Sequence, residues 1–141
     1  RSRGLGDVYK RQQLQASPRL ICDTGHNTGG MQYIARQLRN EHYDMLRIVI
    51  GMVNDKDISG VLAMLPKEAT YYFTRASVPR ALPQDKLEAL ATQAGLKGRS
   101  FPTVKEAVTA AQKESRPEDL IFVGGSTFIV ADLLQFMPLP Q

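Results

Sequence analysis

Hydrophobic positions along this chain change period repeatedly, and each change marks an element. Residues 20–23 form a short apolar run that stops on an acid, the pattern of a strand. Over 31–40 the apolar positions Met31, Ile34 and Leu38 fall on one helical face. Residues 45–51 are again mostly apolar, as a parallel strand buried on both faces should be. Ile58, Val61, Leu62 and Leu65 recur at i, i+3, i+4 and i+7 and stop before Pro66, which predicts a helix over 58–65. An aromatic strand follows at 69–74, then a helix over 83–94 with Leu87 and Leu90 inward and Gly95 closing it. A short strand at 98–101 leads to a helix over 104–114, for which Thr103 and Glu106 spell a capping box. A buried strand at 120–123 and a last helix over 127–136 complete the pattern.

Strands alternating with helices of about ten residues predict parallel pairing through helical crossovers. The expected fold is therefore α/β: a Rossmann-like three-layer sandwich around a mostly parallel sheet of five to six strands. Residues 1–12 show neither period and read as a disordered or non-native leader, leaving 13–141 as one domain. A length of 141 residues with 43% hydrophobic content suits a single core of useful size.

Composition narrows the classes further. No apolar run approaches the roughly 20 residues needed to cross a bilayer, so no membrane partner is expected. A single cysteine, Cys22, cannot form an internal disulfide, and its place in a strand marks it as a buried small hydrophobe. With no secretory signal in view, the expected setting is cytoplasmic. The formal charge of +4 is mostly carried by Arg1, Arg3, Lys10 and Arg11, while the remainder is nearly neutral. No basic patch is interleaved with aromatics, so no nucleic-acid partner is expected.

In a parallel sheet the loops after successive strands meet at one edge, where such folds bind ligands. Four polar or glycine-rich turns occupy such positions here: 23–30, 51–57, 74–80 and 124–127. Asp23 can cap or turn the chain, or accept hydrogen bonds from a nucleotide. His26 lacks Cys, His or acidic partners at ligand spacing, so no metal site is assigned. His42 follows a helix and is expected to be solvated. Asp23-Thr24-Gly25 does not signal an aspartic protease, which needs two such acids in an all-β setting. Gly124-Gly125-Ser126-Thr127-Phe128 is not a nucleophile elbow, because Phe stands where that motif requires Gly. It reads as a turn that bares backbone N–H groups at a helix start, suited to an anion. Lys56, between Asp55 and Asp57, is a cation at the same edge, and Asp57 can cap the helix that follows.

Four of these passages resemble the folylpolyglutamate synthase and dihydrofolate synthase branch of the Mur ligase superfamily. Asp23-Thr24-Gly25-His26-Asn27 is similar to its D-x-A-H-N, and Gly51-Met52-Val53-Asn54-Asp55-Lys56-Asp57 to its G-M-x-x-D-K-D. The passage from Thr74 through Pro79-Arg80-Ala81-Leu82-Pro83 resembles T-R-x-x-x-P-R-A-L-P, and the Gly124–Ser126 turn resembles T-G-S. Order and spacing match over roughly residues 11–136. Gly25 replaces the family's alanine, Thr28 its usual proline, and the upstream G-R-[FLW]-Q is not recognisable in Tyr9-Lys10-Arg11-Gln12.

The resemblance implies a C-terminal domain of an ATP-dependent ligase that adds L-glutamate to folate or dihydropteroate through an acyl phosphate. It implies that Asp23, His26 and Asn27 contact ATP, and that Lys56 and Ser126 hold the incoming glutamate. The chain contains no G-x-x-x-x-G-K-[ST]. ATP and Mg would therefore be held largely by an N-terminal P-loop ATPase domain, the expected partner along with ATP, glutamate and folate. On that view this domain alone is not catalytic. The alternative is a stand-alone nucleotide- or anion-binding module of the same fold. Arg80 could bind an anion or pair with an acid to anchor its loop.

Overall fold

In the computed structural model, residues 11–25, 28–54 and 57–137 are described. The described chain alternates strands and helices almost throughout. The order is β1 (Arg11–Ala16), β2 (Arg19–Asp23), α1 (Thr28–Arg39), β3 (Leu46–Ile50), α2 (Ile58–Met64), β4 (Thr70–Phe73), α3 (Gln84–Gln93), β5 (Lys97–Ser100), α4 (Val104–Glu114), β6 (Leu120–Gly124) and α5 (Thr127–Phe136). The six strands make one sheet in the order β1-β2-β6-β3-β4-β5, parallel except for β1. The α/β fold with a mostly parallel sheet is as the pattern predicts.

Alternation along the strands decides which helix covers which face. Ile21, Ile48, Ile50, Tyr71, Phe73 and Phe122 point to one side, where they pack with Met31, Ile34 and Leu38 of α1 and Val61, Leu62 and Leu87. Cys22, Val49, Tyr72, Ile121 and Val123 point to the other, against Val104, Ala107 and Val108 of α4 and Ile129 and Leu133 of α5. Helices α1, α2 and α3 thus form one layer and α4 and α5 the other. Cys22 is buried in this second core, as its strand position requires. On α3 the innermost positions are Leu87 and Ala91, and Leu90 is only partly buried. A four-residue step, 87 to 91, faces the sheet more squarely than the three-residue step to Leu90.

Two expectations are corrected. Arg11 and Gln12, read as the end of a leader, open the antiparallel edge strand β1, which pairs Arg11 with Asp23 and Gln12 with Cys22. An edge strand has only one hydrogen-bonded neighbour, so Arg-Gln-Gln-Leu-Gln-Ala needs no alternating pattern to pair. Residues 1–10 lie outside the described residues. The capping box before α4 is half formed: Thr103 Oγ1 accepts from the Glu106 amide at 3.1 Å, but the Glu106 carboxylate meets the Thr103 hydroxyl rather than a backbone N–H.

At the amino-terminal edge of the sheet a polar network spans several elements. Arg47 of β3 donates to Asp119 at 3.2 Å, to the Tyr72 hydroxyl at 2.9 Å and to the Glu114 carbonyl at 3.0 Å. Tyr72 in turn donates to the Glu114 carboxylate at 2.7 Å, and Arg99 pairs with the other carboxylate oxygen. Burial, reinforced by the Glu114 bond, pushes the Tyr72 hydroxyl up to about 12. Each buried polar group here has a partner, which keeps the cost of burying them low.

Candidate functional site

The sheet order puts β6 between β2 and β3. The helices after β2 and β3 lie on one face, and the helix after β6 lies on the other. Connections leaving in opposite directions open a crevice at the carboxyl ends of these strands, the usual ligand position in such sheets. The four turns singled out above all end here, and short contacts join them into one row.

Starting from β2, Asp23 is 5% exposed and its Oδ1 accepts from the Gly25 amide at 2.8 Å. That is the turn role read from sequence. Next in the sheet, Gly124 passes so close to β2 that an added Cβ would lie 2.9 Å from the Asp23 carbonyl oxygen. The Gly51 amide donates to the Gly124 carbonyl at 3.3 Å, joining β6 to the turn after β3. Thr74, just past β4, donates its amide to Ile50 at 2.9 Å. The turns after β3 and β4 also clasp each other. Val53 bridges Ala81, the Asn54 amide donates to Arg80 at 2.8 Å, and the Leu82 amide donates to Met52 at 2.8 Å. The motif passages 51–54 and 80–82, read separately in sequence, are one structural unit.

Ser126 caps α5: its Oγ accepts from the Ile129 amide at 3.2 Å. Ser126 is 3% exposed, and accepting at the cap leaves its hydroxyl proton unused among the described residues. Gly125 precedes it at φ +103°, a conformation that glycine adopts without penalty. Asp57 caps α2 by accepting from the Gly60 amide at 3.1 Å, as expected. His42 is exposed, also as expected.

His26, Asn27 and Lys56 lie outside the described residues, as does Asp55. The structure therefore brings together Asp23, Gly51, Thr74 and Ser126 of the predicted edge. Two features escaped the sequence reading. Asp132 of α5 receives the Ser77 amide at 2.8 Å and its hydroxyl at 3.0 Å, tying the 74–80 turn to the opposite helix layer. Thr74 Oγ1 is fully buried with no hydrogen-bond partner. Nothing local in the sequence signals either, because both depend on contacts between residues far apart in the chain. Among the described residues no group of His, Cys, Asp or Glu could hold a metal ion. No helix among them is long and apolar enough to cross a membrane.

The family model for the "Mur ligase, glutamate ligase domain" matches residues 10–127. The chain belongs to this Mur ligase family. Its relatives include the dihydrofolate synthase/folylpolyglutamate synthase of Escherichia coli K12, 33% identical over 127 residues, which are 88% of this chain and 29% of that protein. The solved E. coli enzyme in complex with DHPP and ADP superimposes with a TM-score of 0.80 at 30% identity, over 91% of this chain and 31% of the other. A bifunctional folylpolyglutamate synthase/dihydrofolate synthase with Mn, AMPPNP and L-glutamate bound superimposes with a TM-score of 0.77 at 28% identity, over 88% of this chain and 30% of the other. The chain thus spans about a third or less of each of these Mur ligase relatives. The sequence resemblance to the folate branch agrees with these matches.

Proposed function

We propose that this chain is the C-terminal, glutamate-handling domain of an ATP-dependent ligase that lengthens folate or dihydropteroate by one glutamate. The chemistry is the formation of an amide from a carboxylate and an amine. ATP supplies the activation by converting the acceptor carboxylate to an acyl phosphate, and the glutamate amine displaces phosphate. On this reading ATP and magnesium are held mainly by an N-terminal P-loop domain, as the resemblance implies.

The observation that carries this reading is the row of linked turns at the crevice beside β6. The glycine turn that carries Ser126 stands between the Asp23 turn and the Gly51 turn that leads to Lys56. Ser126 and Lys56 hold the carboxylates of glutamate, where a cation and an O–H donor are the matching partners. Asp23, with His26 and Asn27 on the same loop, contacts the nucleotide. The domain by itself supplies one wall of the site and does not turn over.

The test is to express residues 11–137 together with the P-loop domain encoded upstream of them, and to follow ADP release that depends on both folate and glutamate. Ser126→Ala and Lys56→Ala are expected to raise KM for glutamate, and Asp23→Ala to lower turnover with ATP. Turnover independent of glutamate, or all three variants at wild-type rates, overturns the reading. Tight ATP binding by the 141-residue chain alone would favour the stand-alone module.

A further inference from the structure

Tyrosines aside, the buried polar side chains among the described residues are Asp23, Thr74, Asp119 and Ser126. The fold uses both acids. Asp23 holds the Gly25 amide, and Asp119, at the opposite edge of the sheet, takes Arg47 at 3.2 Å and the Arg116 amide at 3.0 Å. The two hydroxyls keep bonding capacity in reserve. Ser126 accepts at its cap with its proton unused, and Thr74 Oγ1 has no partner among the described residues. Both residues flank Gly51. A Cβ added to Gly51 would lie 2.7 Å from the Thr74 carbonyl oxygen, and one added to Gly125, next to Ser126, would lie 2.3 Å from the Gly51 carbonyl oxygen. The Thr74 amide also holds the Ile50 carbonyl at 2.9 Å. The backbone of Thr74 thus abuts the point where the loop to Lys56 leaves β3. Further along, the Val53–Ala81 bridge and the amides of Asn54 and Leu82 clasp that loop to the turn that Thr74 begins.

A buried hydroxyl without a partner lowers stability, and valine has nearly the same shape without that cost. Packing therefore does not explain threonine at this position, and unsatisfied groups of this kind gather where a fold serves a site. We propose that Thr74 is a positioning residue for the incoming amino acid: its hydroxyl gains a partner in the 51–57 loop only when that loop engages a carboxylate of glutamate. The proposal rests on the ligase reading. Thr74 is 0% exposed, so it acts through the Gly51 turn and does not touch the ligand. A bond made only in the liganded arrangement favours that arrangement, and glutamate binds more tightly by the same factor. One such bond is worth about fivefold in affinity.

The test uses the ligase that joins this chain to the P-loop domain encoded upstream of it, as wild type, Thr74→Val and Thr74→Ser. Thr74→Val is expected to raise KM for glutamate about fivefold, to leave KM for ATP unchanged and to raise Tm. Thr74→Ser keeps the hydroxyl and is expected to hold KM for glutamate at the wild-type value. Saturating glutamate is expected to slow amide exchange over 51–54 and 80–82 in the wild type, and less so in Thr74→Val. A purely structural hydroxyl predicts something else: Thr74→Val then lowers Tm or raises both KM values together, and either result overturns the proposal. A wild-type KM for glutamate in Thr74→Val, beside glutamate-dependent turnover in the parent enzyme, overturns it while the ligase reading stands. Absence of glutamate-dependent turnover in the parent enzyme removes both.

Discussion

A methyl group placed on Gly125 would sit 2.3 Å from the carbonyl oxygen of Gly51. The turn after β6 thus lies directly against the turn after β3, and φ of +103° at Gly125 adds a second constraint. Gly125→Ala must therefore both strain the backbone and push β3 away, at a cost of about 3 kcal/mol. Gly95 separates the two effects. It has φ +89°, but the nearest atom to an added Cβ is the flexible end of Lys67 at 3.5 Å. Gly95→Ala should cost only about 1 kcal/mol. Urea unfolding of both variants checks the difference, and equal midpoints would refute the crowding argument.

Asp23 turns the chain through its Oδ1. Asparagine keeps an oxygen acceptor for the Gly25 amide, and alanine does not. Asp23→Asn should stay within about 0.5 kcal/mol of wild type, and Asp23→Ala should lose about 1.5 kcal/mol. The comparison isolates the turn from any role of the charge, which only the ligase assay would then report.

Thr74 Oγ1 is buried without a partner, so its hydroxyl destabilises the fold. Thr74→Val keeps the shape and removes the unpaired group. A gain of about 1 kcal/mol is expected, read as a rise in Tm of about 3 °C for a chain of this size. A fall in Tm would mean that the hydroxyl is satisfied in solution, by water for instance.

Glu114 gives the acid limb of stability a specific source. Burial raises its pKa, but hydrogen bonds from Tyr72 and Arg99 and the charges of Arg99 and Arg47 outweigh this and leave it below the ordinary 4.5. A carboxylate with a lowered folded pKa binds fewer protons when folded than when unfolded. Its contribution is thus present above the unfolded value and lost as pH falls through the folded one. Below about pH 4.5 the wild type should lose stability more steeply than Glu114→Gln, in unfolding free energies measured from neutral pH downward. The side chain is 39% exposed, so the difference in slope will be modest.

Asp132 restrains the 74–80 turn by taking two hydrogen bonds from Ser77. Asp132→Ala should speed hydrogen exchange of the Ser77 amide by about tenfold or more while leaving the β3 amides unchanged. Exchange accelerated across the whole sheet would show that the contact supports global stability instead.

The elements that alternate between apolar runs and helical spacing were readable because their burial is decided locally. Residues 46–50 must face two helix layers, and 58–64 must cover one. The carboxyl edge follows from that alternation, which is why the pattern alone puts Asp23, Gly51 and Ser126 on one side. β1 was not readable, since a Gln-rich strand with one neighbour needs no apolar face. The clasp of Val53 to Ala81 and the reach of Asp132 to Ser77 are long-range pairings, set by how the layers stack rather than by any local pattern. For the same reason nothing near Thr74 in sequence announces a buried hydroxyl without a partner.

The place of β6 has a bearing on how the domain is made. β2 and β3 do not pair with each other; each pairs with β6, which comes from residues 120–124. Until those residues leave the ribosome, the β1–β2 hairpin and the β3–β4–β5 ladder share no strand hydrogen bonds. The nascent domain therefore exposes two unpaired parallel edges for most of its synthesis, at about 5–20 residues per second. A stop codon before residue 120 would not yield a smaller version of this domain but two unjoined halves, each presenting an open edge to other chains.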